Sequence, residues 1–192
     1  GLFLSSGVVR SPDYTMERLV RVAKDLRQVH RFNGYIHLKS IPGASRELVN
    51  EAGLYADRLS VNVEIPKEEN LKLLAPEKDH KSVFAPMKYI QQGVLESKEE
   101  RQKFRHAPRF APAGQSTQMI VGATSESDKD ILFLSSALYG RPTMKRVYYS
   151  GYVSVNTYDT RLPALKQPPL VRENRLYQAD WQIGRASCRE RV

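Results

Sequence analysis

Hydroxyl, amide, ammonium and carboxylate groups recur where short apolar runs of the sequence end. The set comprises Ser5, Ser6, Gly7, Lys39, Asn62, Glu64, Gln115, Ser116, Thr117 and Gln118, with Ser150, Tyr152 and Asn156 after the last run. Donors and acceptors of both charge signs suit a ligand rich in hydrogen-bonding groups, such as an amino acid joined to a nucleoside. Lys39 or backbone amides would take its carboxylate, and Asn62 or Glu64 its ribose hydroxyls.

A structural explanation competes with the binding explanation at most of these positions. Residues 5–7 also fit a tight turn, Lys39 also fits a solvated charge at a strand end, and Glu64 also fits a lead into Pro66. The run 115–118 favours binding. Four polar residues beside or inside a buried strand cost free energy unless they find partners.

Other kinds of chemistry leave no pattern in the sequence. Metal-ligand spacing is missing among the four histidines, which we interpret as ordinary core or surface residues: His30, His37, His80 and His106. No Ser-His-Asp order, phosphate-binding glycine loop or paired-carboxylate motif is present. Cys188 is the one cysteine, so a disulfide framework and a cysteine-ligated metal site built from this chain alone are excluded.

Apolar spacing predicts the elements that carry these residues. Strands are indicated at 2–4, 35–39, 59–63, 116–121 and 145–150, and helices at 16–26, 48–55, 68–74, 131–138 and 173–181. The charged stretch 80–109 is typical of a long solvated helix inserted between elements. Ser45 and Ser125 are the predicted N-caps of the second helix and the 131–138 helix, Ser125 with Asp128 in the acidic position of a capping box.

Alternation of strands and helices predicts parallel pairing with right-handed crossovers. No G-x-G-x-x-G motif follows the first strand, which disfavours a dinucleotide-binding unit. We therefore predict an α/β fold, a partial (β/α) TIM-like barrel with parallel strands, organised as one domain over residues 1–182.

The last ten residues, 183–192, depart from this pattern. Apolar helical spacing through Leu176, Tyr177 and Trp181 stops after Gln182. The decapeptide IGRASCRERV resembles translated read-through of a sequencing adapter, so we interpret it as a non-native tail; a genuine basic tail is the alternative. Without its three arginines and one glutamate, the net charge of +9 falls to +7.

Composition limits the class of protein. A hydrophobic content of 41% and a charged content of 27% fit a globular chain and argue against disorder. No apolar run approaches the roughly 20 residues of a membrane-spanning helix. The opening segment has no basic region typical of a signal peptide, and with the low cysteine content this predicts a cytoplasmic protein without a membrane partner. A pI near 9.7 permits a polyanionic partner.

Longer segments resemble a known family. They are LFLSSGVVRSPDYTMERLVRVAKDLR, FNGYIHLKSIPGAS, AGLYADRLSVNVEIP, LKLLAPEKD, FAPAGQSTQMIVGATSESD, KRVYYSGY and LKQPPLVRENRLYQADW. They are similar to radical S-adenosylmethionine proteins associated with DNA modification or repair, whose genes lie beside a gene for a uracil-DNA-glycosylase-like protein. The resemblance covers nearly all of residues 1–182 and is carried by long segments rather than by one short motif.

This resemblance implies a partial (β/α)6 barrel, a 4Fe-4S cluster and S-adenosylmethionine as cofactors. In the family, a C-x-x-x-C-x-x-C motif after the first barrel strand holds the cluster, whose open iron binds S-adenosylmethionine for cleavage to a 5′-deoxyadenosyl radical. We expect that motif upstream of Gly1. Gly1 to Ser5 would then be the second barrel strand, and the chain would be a fragment that by itself binds no cluster and turns over no substrate.

The resemblance also implies roles for particular residues. Ser5, Ser6 and Gly7 stand where the family has a Gly-Gly-Glu-like strand end that receives the methionine amino group, here without the glutamate. Asn62 and Glu64 stand where a strand meets the ribose. The adenine is lined by a Gly-x-Ile-x-Gly signature, to which Ile120, Gly122 and Glu126 correspond, with Gln118 in place of the first glycine.

Implied partners are nucleic acid, the uracil-DNA-glycosylase-like protein and an electron donor such as flavodoxin or ferredoxin. Two alternatives remain. A non-catalytic module would bind nucleic acid through a basic surface near Tyr148, Tyr149 and Tyr152, whose cations are Arg101, Lys103, Arg105, Arg109, Lys145, Arg146, Arg172 and Arg175. A metal-independent barrel enzyme would use Lys39 and Glu64 as acid and base.

Overall fold

A computed structural model describes residues 1–155, 158–165 and 167–189. Within these ranges the strands are β1 (Leu2–Leu4), β2 (Ile36–Lys39), β3 (Arg58–Ser60), β4 (Gln115–Val121) and β5 (Met144–Gly151). The helices are α1 (Pro12–Gln28), α2 (Arg46–Tyr55), α3 (Glu68–Leu74), α4 (His80–Lys103), α5 (Asp128–Tyr139) and α6 (Leu170–Arg189).

The strands form one sheet in chain order, β1-β2-β3-β4-β5, and they run parallel. Register is direct: Leu4 lies beside Leu38, Leu38 beside Leu59, and Leu59 beside Gln115. Sequential parallel strands with helices between them follow the order of a (β/α) barrel. The predicted α/β fold, matching a partial TIM-like barrel, is confirmed.

The chain divides into two compact units, each described here by itself. Unit 1 comprises Gly1–Asn62, Lys81–Ser116 and Thr143–Lys145. Unit 2 comprises Val63–His80, Thr117–Pro142 and the residues from Arg146 onward.

Helix α1 covers the apolar side of unit 1. Its first turn is capped by Ser11, whose hydroxyl accepts a hydrogen bond from the Tyr14 amide at 3.1 Å, and Pro12 supplies the fixed φ that favours a helix start. The predicted apolar stripe of α1 is buried at Met16, Leu19, Val20 and Ala23. Burial of this stripe, rather than helix propensity alone, stabilises α1.

Phe110 locks α2 to α4 in unit 1. The ring is 7% exposed and lies against two helix glycines, Gly53 of α2 and Gly93 of α4. A Cβ on Gly93 would lie 2.6 Å from the ring, and one on Gly53 closer still. The Phe110 amide donates to the hydroxyl of Ser97 at 3.2 Å, which fixes the ring between the two helices.

A buried polar network joins α5, β5 and α6 in unit 2. The Asp180 carboxylate is 2% exposed and accepts hydrogen bonds from the hydroxyls of Tyr139 at 2.9 Å and Tyr149 at 2.8 Å. Ser135 lies 2.7 Å from the Tyr149 hydroxyl. Burial raises the pKa of Asp180 and of both tyrosines, so the network favours neutral phenols around one satisfied carboxyl group.

Two details of the sequence prediction are wrong. The N-cap of α5 is Ser127, whose hydroxyl accepts from the Asp130 amide at 3.2 Å while the Asp130 carboxylate accepts from the Ser127 amide at 3.0 Å. Ser125 is not part of this reciprocal pair, because α5 starts two residues later than a capping box of Ser125 and Asp128 would require. Trp181 is 54% exposed, so the apolar side of α6 buries Leu176 without it.

Helix α6 continues past Gln182 to Arg189. The non-native origin of residues 183–192 stays a prediction. None of the helices in the described part of the chain is long and apolar enough to cross a bilayer.

We predict that Ser127→Ala lowers the free energy of unfolding by about 1 kcal/mol, because the Asp130 amide loses its cap. Urea denaturation followed by circular dichroism measures the change. Ser125→Ala is the matched control and should alter stability by less than about 0.5 kcal/mol. Equal effects of the two substitutions would contradict the assignment of the cap.

We predict that Gly53→Ala destabilises the protein by about 1–3 kcal/mol, since the new methyl group meets a ring that Gly93 prevents from moving away. Phe110→Leu introduced into Gly53→Ala should recover part of the loss in the same urea assay. Gly7→Ala is the control, because a Cβ there meets no atom within 4 Å. A stabilising Gly53→Ala would show that the ring moves freely.

Candidate functional site

Parallel register brings two predicted site residues of unit 1 onto one face of the sheet. Lys39 lies beside Ser60, and Ser60 beside Ser116. Side chains two residues apart on a strand share a face, so His37 and Arg58 lie on this face as well. We call the side chains Phe3, His37, Lys39, Arg58, Ser60 and Ser116 the polar face.

Gln115 points to the opposite side of the sheet. It continues the row of Leu38 and Leu59 and is fully buried. Its Nε2 donates to the Thr143 hydroxyl at 2.7 Å, whereas its Oε1 has no hydrogen-bond partner in residues 1–155, 158–165 and 167–189. Strand alternation therefore separates Gln115 from Ser116, two residues that the sequence places in one polar run.

The polar face curves inward. His37 of β2 and Ser116 of β4 are separated by β3, so their backbones lie about two strand spacings, roughly 10 Å, apart. Their side chains nevertheless approach, with His37 Nε2 3.5 Å from Ser116 Oγ. Side chains from alternate strands meet in this way on the concave side of a curled sheet.

The remaining unit 1 candidates stand at the carboxyl ends of the strands. Ser5, Ser6 and Gly7 follow β1 and are exposed, with the Ser6 hydroxyl donating to the Gly7 carbonyl at 2.7 Å. Asn62 follows β3 and is 7% exposed. In parallel α/β folds this edge is where ligands bind.

His37 and Arg58 are the residues that the sequence analysis missed. Burial, with Arg58 adding to it, lowers the pKa of His37 to about 4, so its imidazole is neutral at pH 7. The Arg58 Nε is buried without a hydrogen-bond partner among the described residues. The alternations His37-x-Lys39 and Arg58-x-Ser60 inside predicted strands were the available signal, because they place charged or titratable groups on one sheet face.

In unit 2, Glu64 and Thr117 maintain strand pairing beside β4. The Thr117 hydroxyl accepts a hydrogen bond from the Val63 amide at 3.1 Å and so replaces a backbone carbonyl. Glu64 adopts a φ of 63°, donates its amide to the Gln118 carbonyl at 3.0 Å and accepts from the Ile120 amide at 2.8 Å. The backbone of Gln118 thus positions Glu64, and Thr117 has a structural role that accounts for its burial.

Gly122 follows β4 in a conformation that favours glycine. Its φ is +88°, and a Cβ would lie 3.0 Å from the Pro169 ring. Glu126 is 4% exposed; its carboxylate accepts from Asn70 Nδ2 at 2.7 Å and from the Thr124 hydroxyl. Backbone geometry therefore explains Gly122, and local hydrogen bonds satisfy Glu126.

Of the residues predicted to follow the last strand, the structure describes Tyr152 but not Asn156. Tyr152 packs against the apolar cluster of Ile65, Leu71 and Ala123, and its amide donates to the Val121 carbonyl at 2.8 Å. Asn156 lies outside the described residues.

The residues of this chain do not fit a 4Fe-4S cluster. Such a cluster needs three thiolates in this family's arrangement, and the sequence has one cysteine. The part of the chain that the structure describes also contains no group of three His, Cys, Asp or Glu side chains able to hold a metal ion.

Comparison with known proteins gives a likeness of fold. No family model matches the chain, and no curated protein matches it. The chain is similar to the crystal structure of a domain of pyruvate-formate lyase-activating enzyme from Bacteroides vulgatus, with a TM-score of 0.58 and 14% identity over 97% of this chain and 94% of that one. A ligand-free DHODH from Eimeria tenella aligns with a TM-score of 0.47 and 14% identity, covering 92% of this chain and 53% of that one. At such identities the first likeness establishes the partial-barrel fold.

Proposed function

We propose that the chain is part of a radical S-adenosylmethionine enzyme and that unit 1 carries part of its S-adenosylmethionine site. The supporting observation is the agreement of two independent likenesses. The sequence segments resemble this family, and the fold is similar to a domain of pyruvate-formate lyase-activating enzyme, itself a radical S-adenosylmethionine protein. Cluster ligands would have to come from residues outside this sequence.

The donors at the strand ends of unit 1 fit S-adenosylmethionine. The Lys39 ammonium is a charge-assisted partner for the methionine carboxylate, and the exposed backbone at Gly7 leaves room for its amino group. The Asn62 amide is a partner for the ribose hydroxyls. When bound, S-adenosylmethionine supplies a sulfonium that an electron donor can cleave to start radical chemistry.

Neutral His37 favours this arrangement. A protonated imidazole one row from Lys39 would add a second cation and compete for the carboxylate, and the lowered pKa of His37 prevents this at pH 7. Roles for Glu64 and Gly122 at the ribose and adenine remain proposals drawn from the family resemblance. So do an electron donor and the uracil-DNA-glycosylase-like protein as partners.

We predict that the chain binds S-adenosylmethionine weakly, and that Lys39→Gln raises the dissociation constant about tenfold by removing a charge-assisted hydrogen bond. Saturation-transfer NMR detects such binding. 5′-Deoxyadenosine, which lacks the carboxylate, should bind Lys39→Gln and the unsubstituted chain equally.

Lys88→Gln, on the exposed side of α4, is the control and should bind both compounds normally. Absence of binding at millimolar concentrations, or equal weakening of both compounds by Lys39→Gln, would contradict the proposal. The gene provides a second test, since its reading frame upstream of Gly1 should encode C-x-x-x-C-x-x-C.

A second candidate function is single-stranded nucleic-acid binding by residues 101–109, which we call the basic loop. Phe104 is 67% exposed among the exposed cations Arg101, Lys103, Arg105 and Arg109. The loop is held in place: Arg101 donates to the Ala107 carbonyl at 2.7 Å, and Ser97 donates to the Pro108 carbonyl at 2.9 Å. An exposed ring among cations on an anchored segment is an arrangement that stacks bases and neutralises phosphates.

The other members of the predicted basic surface divide between the two units. Lys145 belongs to unit 1, and Arg146 and Arg175 belong to unit 2. Arg172, also in unit 2, donates to Asp128 and to the Glu126 carbonyl, both at 2.6 Å. Tyr149 is 2% exposed and holds Asp180, so its ring is inaccessible to a base.

We predict that Phe104→Ala weakens binding of a fluorescein-labelled oligo(dT) about tenfold, since stacking contributes roughly 1–3 kcal/mol per base. Arg105→Gln should reduce the slope of log K against log salt by about 0.7. Fluorescence anisotropy measures both. Phe133→Ala, which removes a ring of 66% exposure from α5, is the matched control. Equal losses for the two phenylalanines would contradict a specific role for the basic loop.

A further inference from the structure

Three side chains of the polar face form one row across adjacent strands. Phe3 lies beside His37, and His37 beside Arg58. The Phe3 and His37 rings meet edge to face, with centroids 4.9 Å apart and planes at 78°. Strand spacing sets the backbones of Phe3 and Arg58 about 10 Å apart. The row thus combines a ring, an imidazole and a guanidinium within the length of a small ligand.

Arg58 has hydrogen-bonding capacity that the fold leaves unused. Its Nε is buried and has no partner within the part of the chain that the structure describes, and its Nη2 donates to the Ala113 carbonyl at 3.3 Å, beyond the usual range of such bonds. A buried donor on a charged group is costly when unpaired, so native proteins almost always satisfy it. An anionic oxygen on the polar face would be its strongest partner.

The neighbours of Arg58 are suited to the same anion. Ser116 is fully buried and approaches His37 Nε2 at 3.5 Å, a long contact that either group can exchange for a ligand oxygen. At the other end of the row, Phe3 is 60% exposed. Its free ring surface can stack a planar group.

We propose that Phe3, His37, Arg58 and Ser116 form a binding site for a compound that joins a planar ring to an anionic group. Arg58 and Ser116 take the phosphate or carboxylate, and Phe3 stacks the ring. His37 lies between them and contributes one N–H.

Phe3, His37 and Arg58 lie one row closer to the amino ends of the strands than Lys39 on the same face, and Ser116 shares the row of Lys39. If the proposed S-adenosylmethionine site is correct, the bound compound is next to the radical source and is the substrate class of the enzyme. That consequence rests on the proposed function, whereas binding itself does not require S-adenosylmethionine.

Two probes distinguish the sources of the anion: thymidine 5′-monophosphate for a nucleotide and benzoate for an aromatic carboxylate. Each is titrated into the full chain while NMR follows the His37 imidazole and Phe3 ring resonances. We expect at least one probe to shift both sets of resonances with saturation below 10 mM. If neither probe does so, the site is overturned.

Arg58→Gln should raise the dissociation constant of the bound probe at least tenfold, and Phe3→Leu should raise it about fivefold. Arg58→Gln should weaken the binding of inorganic phosphate, whereas Phe3→Leu should leave it unchanged. Arg21→Gln is the control, because its side chain is 82% exposed on α1. If Arg58→Gln proves unstable in urea denaturation, Arg58→Lys and Ser116→Ala replace it, each expected to weaken binding severalfold.

The outcomes separate the two proposals. The anion site is supported if Arg58→Gln abolishes probe binding and added S-adenosylmethionine leaves it unchanged. This conclusion does not depend on the result for Lys39→Gln. Probe binding unaffected by Arg58 and Ser116 substitutions overturns it. Equal affinity for phosphate and thymidine 5′-monophosphate, with no effect of Phe3→Leu, overturns the role of the ring.

Discussion

The two-residue alternation of parallel strands decides which polar groups of this protein can meet a ligand. In register, Lys39, Ser60 and Ser116 form one row, and their neighbours Leu38, Leu59 and Gln115 form the next row on the opposite side. A shift of one residue would exchange the two sets, placing leucines on the polar face and charges in the apolar core. Burial of the leucine row therefore fixes the position of the polar row.

The same register also places His37 beside Arg58 on the polar face. Arg58 and His37 are neighbours across one strand pair, and burial of His37 together with the charge of Arg58 favours a neutral imidazole. The face therefore keeps one guanidinium charge at this position instead of two competing cations. Unit 2 accommodates a buried titratable group in another way. The oxygens of Asp180 accept hydrogen bonds from the hydroxyls of two tyrosines.

Sequence patterns were sufficient for the elements and their order. Apolar spacing identified the short strand 2–4 and the helix that buries Met16 and Leu19, and strand–helix alternation predicted parallel pairing. The patterns failed where two nearby residues had the same local sequence signal. Ser125 and Ser127 both have an aspartate three residues later, and only the actual start of α5 distinguishes them.

The candidate site was predictable in part for the same reason. Strand ends located Ser5, Lys39 and Asn62, because parallel strands share one carboxyl edge. A run of four polar residues could not reveal that Gln115 and Thr117 satisfy Thr143 and Val63, since both contacts join segments distant in sequence. Arg58 was missed because an arginine that begins a strand has the same local pattern whether it is solvated or turned onto the sheet.

The two anion-binding surfaces proposed for unit 1 differ in dielectric environment. The cations of the basic loop are exposed, so salt screens them and nucleic-acid affinity there should fall steeply with ionic strength. Arg58 is partly buried, where unit charges 4 Å apart interact by about 4 kcal/mol, as against about 1 kcal/mol in water. Binding on the polar face should therefore persist in salt that abolishes binding by the loop.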